Sequence, residues 1–99
     1  MNNTEQDFRF QRQKVHALLL MDGFTEGLTR MQIARILGIE RASVCRRVAE
    51  LNEKGLIWVI KQDLDPITNT KAQFLTANKE IAMRYLQEHP VAKTGNLFE

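Results

Sequence analysis

The sequence holds one cysteine, Cys45, among its 99 residues. That excludes an internal disulfide and points to a reducing compartment. No apolar run approaches the roughly 20 residues a membrane helix needs, so no membrane partner is expected. The opening stretch, MNNTEQDF, is polar and acidic. It lacks the apolar core of a secretory signal and the basic character of a transit peptide, which points to the cytoplasm. The two histidines, His16 and His89, lie at opposite ends with no metal-ligand spacing, so neither a metal site nor a cofactor is expected. There is no nucleophile–base pattern, glycine-rich phosphate loop or carboxylate pair; Asp63 and Asp65 suit a turn better than catalysis. An enzyme is therefore not expected. Repeats and low-complexity tracts are also lacking.

What is present suits one small domain. A hydrophobic fraction of 43% can supply a modest core. The net charge is only +2, but it is unevenly placed. Residues 1–28 sum to −1, residues 29–61 to +4 and residues 62–99 to −1. A central concentration of positive charge is what a phosphate-binding surface would produce, although ordinary helical surface can carry the same surplus.

Taken in order, residues 1–5 are expected to be flexible, with Thr4 and Asp7 as a weak capping pair. Phe8, Gln11, Val15, Leu18 and Leu19 share a helical face, predicting a first helix from about residue 6 to Met21, with Arg9, Arg12, Gln13 and Lys14 on its exposed side. Asp22-Gly23 and Gly27 mark a loop. Thr29, followed three residues later by Gln32, forms a capping box. The helix it opens carries Ile33, Ala34, Ile36 and Leu37 on one side and Gln32 and Arg35 on the other, and Gly38 ends it. Ile39 should plug the space before the next helix.

That helix is predicted from Arg41 to Lys54, closed by Gly55. Val44, Val48 and Leu51, spaced i, i+4, i+7, define its buried stripe. At about 100° per residue the opposite face holds Ala42, Ser43, Arg46, Ala49, Glu50 and Glu53, with Arg47 on its flank. Small residues followed by an arginine suit a helix entering the major groove, where guanine presents two acceptors. The run Leu56 to Ile60 is β-rich and apolar on both faces. A turn over Asp63–Thr70, with Pro66 and Asn69, and a second strand Lys71–Leu75 complete a hairpin. Thr76 is then expected to cap a last helix, Ala77 to about Glu88, whose stripe is Ile81, Ala82, Tyr85 and Leu86. Pro90 should stop it, leaving 89–99 as a C-terminal tail that ends in Leu97 and Phe98.

The assembled pattern is Thr29-x-x-Gln-Ile-Ala-x-x-Leu-Gly-Ile39, then Ser43-Val-x-Arg46-x-Val48-x-x-Leu51, then Gly55-Leu-Ile57 and a hairpin ending in Leu75-Thr76. Over residues 28 to 88 it resembles the winged helix-turn-helix regulators, and within them the MarR-like group most closely. The resemblance implies an α+β, mainly α fold over a single domain, 6–88: a three-helix core, a two-stranded wing and a C-terminal helix. It further implies binding of double-stranded DNA. The residues expected to touch DNA are Thr29, Arg30 and Gln32 at the first helix of the pair; Arg41, Ala42, Ser43, Arg46 and Arg47 on the second; and Lys61 and Lys71 in the wing. The sequence departs from the family pattern at Glu40, where a hydroxyl usually caps the reading helix, and in the wing, which has aspartates and no arginine.

The expected function is sequence-specific DNA binding by a small transcriptional regulator, working as a homodimer through Phe8, Phe10, Tyr85 and Leu86 on the first and last helices. The alternative is a winged-helix protein-interaction module, since fold does not fix function. For Arg46 the competing reading is an ion pair with Glu50 at i+4. For Cys45 a small half-buried hydrophobe is favoured over a redox sensor among arginines.

Overall fold

The computed structural model describes residues 5–89. Four helices and one hairpin follow in the order α1 (Glu5–Leu20), α2 (Arg30–Leu37), α3 (Arg41–Glu53), β1 (Trp58–Leu64), β2 (Lys71–Thr76) and α4 (Lys79–Glu88). The expected pair of helices with a wing is present, so the fold is a winged helix. Of the N-terminus read as flexible, residues 1–4 lie outside the described residues and Glu5 is already the first residue of α1. Thr4, Pro90 and the tail beyond His89 also lie outside them.

Residues 5–20 contain neither glycine nor proline and are rich in straight-chain helix formers. Val15, Leu18 and Leu19 turn this helix onto the core. Its last carbonyls are satisfied from far along the chain. The Ala77 amide donates to the Leu19 carbonyl (3.0 Å), as does the Thr76 hydroxyl (3.4 Å), and the Asn78 side-chain amide donates to the Leu20 carbonyl (3.0 Å). These bonds stitch the end of α1 to the β2–α4 link and supply partners a helix terminus lacks by itself.

The capping box predicted for α2 is formed in both directions: the Gln32 amide donates to Thr29 Oγ1 (3.1 Å) and the Thr29 amide to Gln32 Oε1 (2.9 Å). Gly38 ends the helix at φ 67°, and Ile39 packs against the core as expected. Helix α3 buries Val44, Val48 and Leu51. Its C-terminus is closed by a Schellman arrangement, with the Leu56 amide donating to the Leu51 carbonyl (3.0 Å) and that of Gly55 to Asn52 (3.0 Å). Leu56 is thereby part of the helix cap, which is why β1 starts at Trp58 rather than at Leu56.

The strands pair antiparallel from Trp58↔Thr76 to Leu64↔Lys71, with a register shift between Val59 and Lys61. The strand thus runs to Leu64, and the turn is shorter than the expected Asp63–Thr70. The Asp65 amide donates to the Thr70 carbonyl (2.8 Å), Asn69 donates to the Asp65 carbonyl (2.7 Å), and the buried Asp65 carboxylate accepts from the Ile67 amide (2.8 Å). Leu28 adds a single bridge to Leu75. Both faces of the hairpin's base are covered, as the apolar run implied. Val59 and Leu75 join Val15, Leu19, Ile33, Val44 and Leu51 in the main core. Ile60 and Phe74 face the other way, against Ile81 and Ala82 of α4, with Trp58 and Tyr85 at the edge. Each fully buried leucine or isoleucine contributes about 1.5–3 kcal/mol.

The last helix begins later than expected. Thr76 is the final residue of β2, and its buried hydroxyl is engaged with Leu19 and with the Asn78 amide (3.1 Å). Asn78 is the cap instead, its side chain accepting from the Ile81 amide (3.1 Å). The helix ends at Glu88, with the His89 ring stacked on Tyr85.

Candidate nucleic-acid interface

The first residues of α2 and α3 and one side of the wing enclose a cleft of about 510 Å³, lined by Arg30, Met31, Arg41, Asp65, Thr68, Thr70, Lys71, Ala72 and Gln73. Three of these are cations from three different elements. Arg30 is held across the cleft, its Nη1 donating to Gln73 Oε1 of β2 (3.1 Å). Burial pushes the Arg30 guanidinium below its usual value; the nearby Arg41 charge lowers it further, and Cys45 opposes the shift. Each of the two like charges disfavours the other in this partly desolvated cleft, and the Asp65 carboxylate that shares the lining is turned to the Ile67 amide (2.8 Å). Glu40, at the start of α3, makes no side-chain cap bond, so amides of the first turn are left without an internal partner.

Along α3, Ala42 and Arg46 are exposed and Ser43 and Cys45 are half-buried. Among the described residues Arg46 has no hydrogen-bond or ion-pair partner. The competing pairing with Glu50 is not made, because Glu50 turns to Arg12 (3.0 Å) and Arg47. A profile of the MarR family matches residues 10–65, more than half of the chain.

The chain belongs to the MarR family.

No curated protein and no solved structure matches the chain. The MarR profile begins within α1, at residue 10, and stops at the wing turn, so it covers the helix pair and β1. The MarR family is a group of winged-helix transcription regulators, which fixes the kind of protein. Among the described residues no helix is long and apolar enough to cross a membrane.

Within this MarR-type scaffold the expected contact residues separate into two groups. Arg30, Arg41 and Lys71 meet at the cleft, and Ala42, Ser43 and Arg46 follow along α3. The rest make contacts within the fold. Thr29 is fully buried, and Gln32, half-buried, turns its Oε1 back to the Thr29 amide, so both shape the helix start. Lys61 sits against the α1–α2 loop, 2.8 Å from Glu26 Oε1 and 3.8 Å from Asp63, with its ammonium 4.6 Å from the Phe74 ring centre. Burial opposes its charge, but Glu26, Tyr85 and Asp63 outweigh burial and raise its pKa.

Arg47 is the largest correction. Expected on the exposed flank, it is only 4% exposed. Its Nη1 donates to Gln11 Oε1 (3.2 Å), its Nη2 to Glu50 Oε2 (3.1 Å), and its guanidinium lies 4.6 Å from the Phe8 ring centre. Glu50, expected on the open face, and Phe8, expected at a partner surface, are therefore both drawn into the α1–α3 junction. Sequence reading also missed Gln73, Thr68 and Thr70 in the cleft. The two hydroxyls were visible as a polar turn; nothing in the sequence marked Gln73, because its role depends on strand register.

Proposed function

We propose that this MarR-family chain is a sequence-specific reader of double-stranded DNA in the cytoplasm, acting as a homodimer with residues 6–88 as its reading domain. Helix α3 enters the major groove, with Ala42 and Ser43 allowing close approach and Arg46 reaching base edges. Arg30, Arg41 and Lys71 hold a backbone phosphate in the cleft beside it. The observation that carries this reading is the convergence of three cations from α2, α3 and the wing at the N-terminal end of α3. Dimerisation is supported by an exposed apolar stripe on α1. Phe10 and Ala17 fall within about 20° of one another around the helix axis, and both are exposed, as are Leu20, Met21 just past the end of the helix, and Met83.

Selection of bound duplexes from a random pool tests the reading. A palindromic consensus is expected, together with steep salt dependence. Absence of binding at low salt would instead favour a protein-interaction module. Sedimentation equilibrium tests the dimer: wild type should sediment as two chains and Phe10→Glu as one.

A further inference from the structure

Beyond a DNA-facing surface, α3 carries an anchor on its other side. Arg47 is the charged member of the set that α3 buries; the others are Val44, Val48 and Leu51. Its fork is gripped from both α1 and α3. Gln11 accepts from Nη1, and Glu50, one turn along α3, accepts from Nη2. Glu50 is itself held by Arg12, whose Nη1 donates to Oε1 at 3.0 Å. Arg47 Nε lies 3.0 Å from the same oxygen without forming a hydrogen bond to it, so this contact is ionic only. Phe8 closes the site over the guanidinium. Phe8, Gln11 and Arg12 are spaced i, i+3, i+4 and so share one face of α1.

A well-packed apolar residue in place of a buried ion pair is often as stable or more so. Stability is therefore a weak reason for an arginine here, and geometry is a stronger one. Apolar contacts along Val44-Val48-Leu51 are non-directional and resist rotation of α3 about its axis only softly. A planar guanidinium in a three-residue grip has fixed directions. Rolling α3 by about 20° would move a group ~5–6 Å from its axis by about 2 Å. That is enough to break a base-edge hydrogen bond, which tolerates only tenths of an ångström. Arg46 is covalently next to Arg47, so the roll fixed on one side sets the aim on the other.

We infer that Arg47 and Glu50, held by Gln11 and Arg12 of α1, are positioning residues that stop the roll of α3 and thereby set DNA specificity without touching DNA. This inference rests on the DNA-reading proposal, but its first test needs no DNA. Amide residual dipolar couplings, measured on wild type, Arg47→Met and Glu50→Gln, report the orientation of α3 relative to α2 and the hairpin. Both variants should show α3 rolled; an unchanged orientation would overturn the inference. Should Arg47→Met fail to fold, Glu50→Gln carries the same measurement.

The second test uses the duplex selected by wild type and a scrambled duplex of equal length. Each variant should lose about tenfold or more on the selected duplex. Affinity for the scrambled duplex and the salt slope should stay within about twofold of wild type, because no phosphate contact is removed. Arg47→Lys should not rescue, since an ammonium cannot make the fork. A parallel loss on both duplexes with a shallower salt slope would return Arg47 to the role of phosphate ligand and sink the inference. If wild type selects no consensus, the DNA-reading proposal fails by itself and the couplings still decide the roll.

Discussion

Arg46 and Arg47 are consecutive on α3, yet Arg46 is exposed with no partner among the described residues, while Arg47 is buried under α1 and bonded to Gln11 and Glu50. A helix turns about 100° per residue, so adjacent identical side chains meet different surroundings. One arginine faces solvent and the other is bonded within the fold.

Replacing Arg46 by alanine should therefore cost about 1–3 kcal/mol of binding to the selected duplex and relax preference at one base position. Arg84→Ala, on the exposed side of α4, should leave binding near wild type. Fluorescence anisotropy titrations compare the two; equal losses would remove α3 from the reading role.

The wing lysines should behave differently from each other. Lys71 lines the cationic cleft, whereas Lys61 is paired with Glu26 on the loop before α2. Lys71→Ala should weaken binding uniformly across sequences and lower the log–log salt slope by about 1. Lys61→Ala should leave that slope unchanged. A salt titration of both variants checks this, and a drop with Lys61→Ala would reverse the assignment.

Gly27 and Gly38 both hold left-handed backbone, at φ 79° and 67°. Alanine at either meets a backbone penalty of about 1–2 kcal/mol. A Cβ at Gly27 would also lie 2.8 Å from the Leu75 carbonyl oxygen, against open space at Gly38. Gly27→Ala should thus be clearly the more destabilising in urea unfolding, because it forces apart the Leu28–Leu75 bridge. Equal midpoints would contradict the close approach.

The Lys61–Glu26 pair sets a pH window. Lys61's hydrogen bond and charge lower the Glu26 pKa below its usual 4.5, and the net effect on Lys61 is a rise above 10.5. Glu26 therefore adds stability above pH 4.5 that is lost as pH falls through its lower folded value. Lys61 adds stability below 10.5 that is lost as pH rises through its higher folded value. The melting-temperature difference between wild type and Glu26→Gln should be small, since Glu26 is exposed. It should be constant across the middle of that range and vanish at the acid end. A difference that persists at the acid end would exclude the pair as its cause.

Much of the fold was legible because its signals are local. Thr29 and Gln32 lie three residues apart, and the capping box they imply is the one formed. Gly38 and Gly55 sit where the helices end, and Val44-Val48-Leu51 is the stripe that α3 buries. Errors gathered where a residue had two local uses. Thr76 reads as a helix cap, but its hydroxyl is taken by the end of α1. Leu56 reads as strand, but its amide closes α3.

The candidate site divides along the same line. The sequence alone determined that a basic helix pair followed by a hairpin is present, and that Arg46 lies opposite the apolar stripe, because helical periodicity carries that information within a few turns. It could not place Arg47, which lies about 40° from Leu51 on the helical wheel, at the boundary between core and solvent. There, charge argues for exposure. Only the tertiary structure brought Gln11 and Arg12 beside it across more than 30 positions of chain and gave the buried charge its partners. The cationic cleft was decided in the same way. Arg30, Arg41 and Lys71 come from three elements whose approach depends on strand register and helix packing, and no local pattern encodes the distance between them.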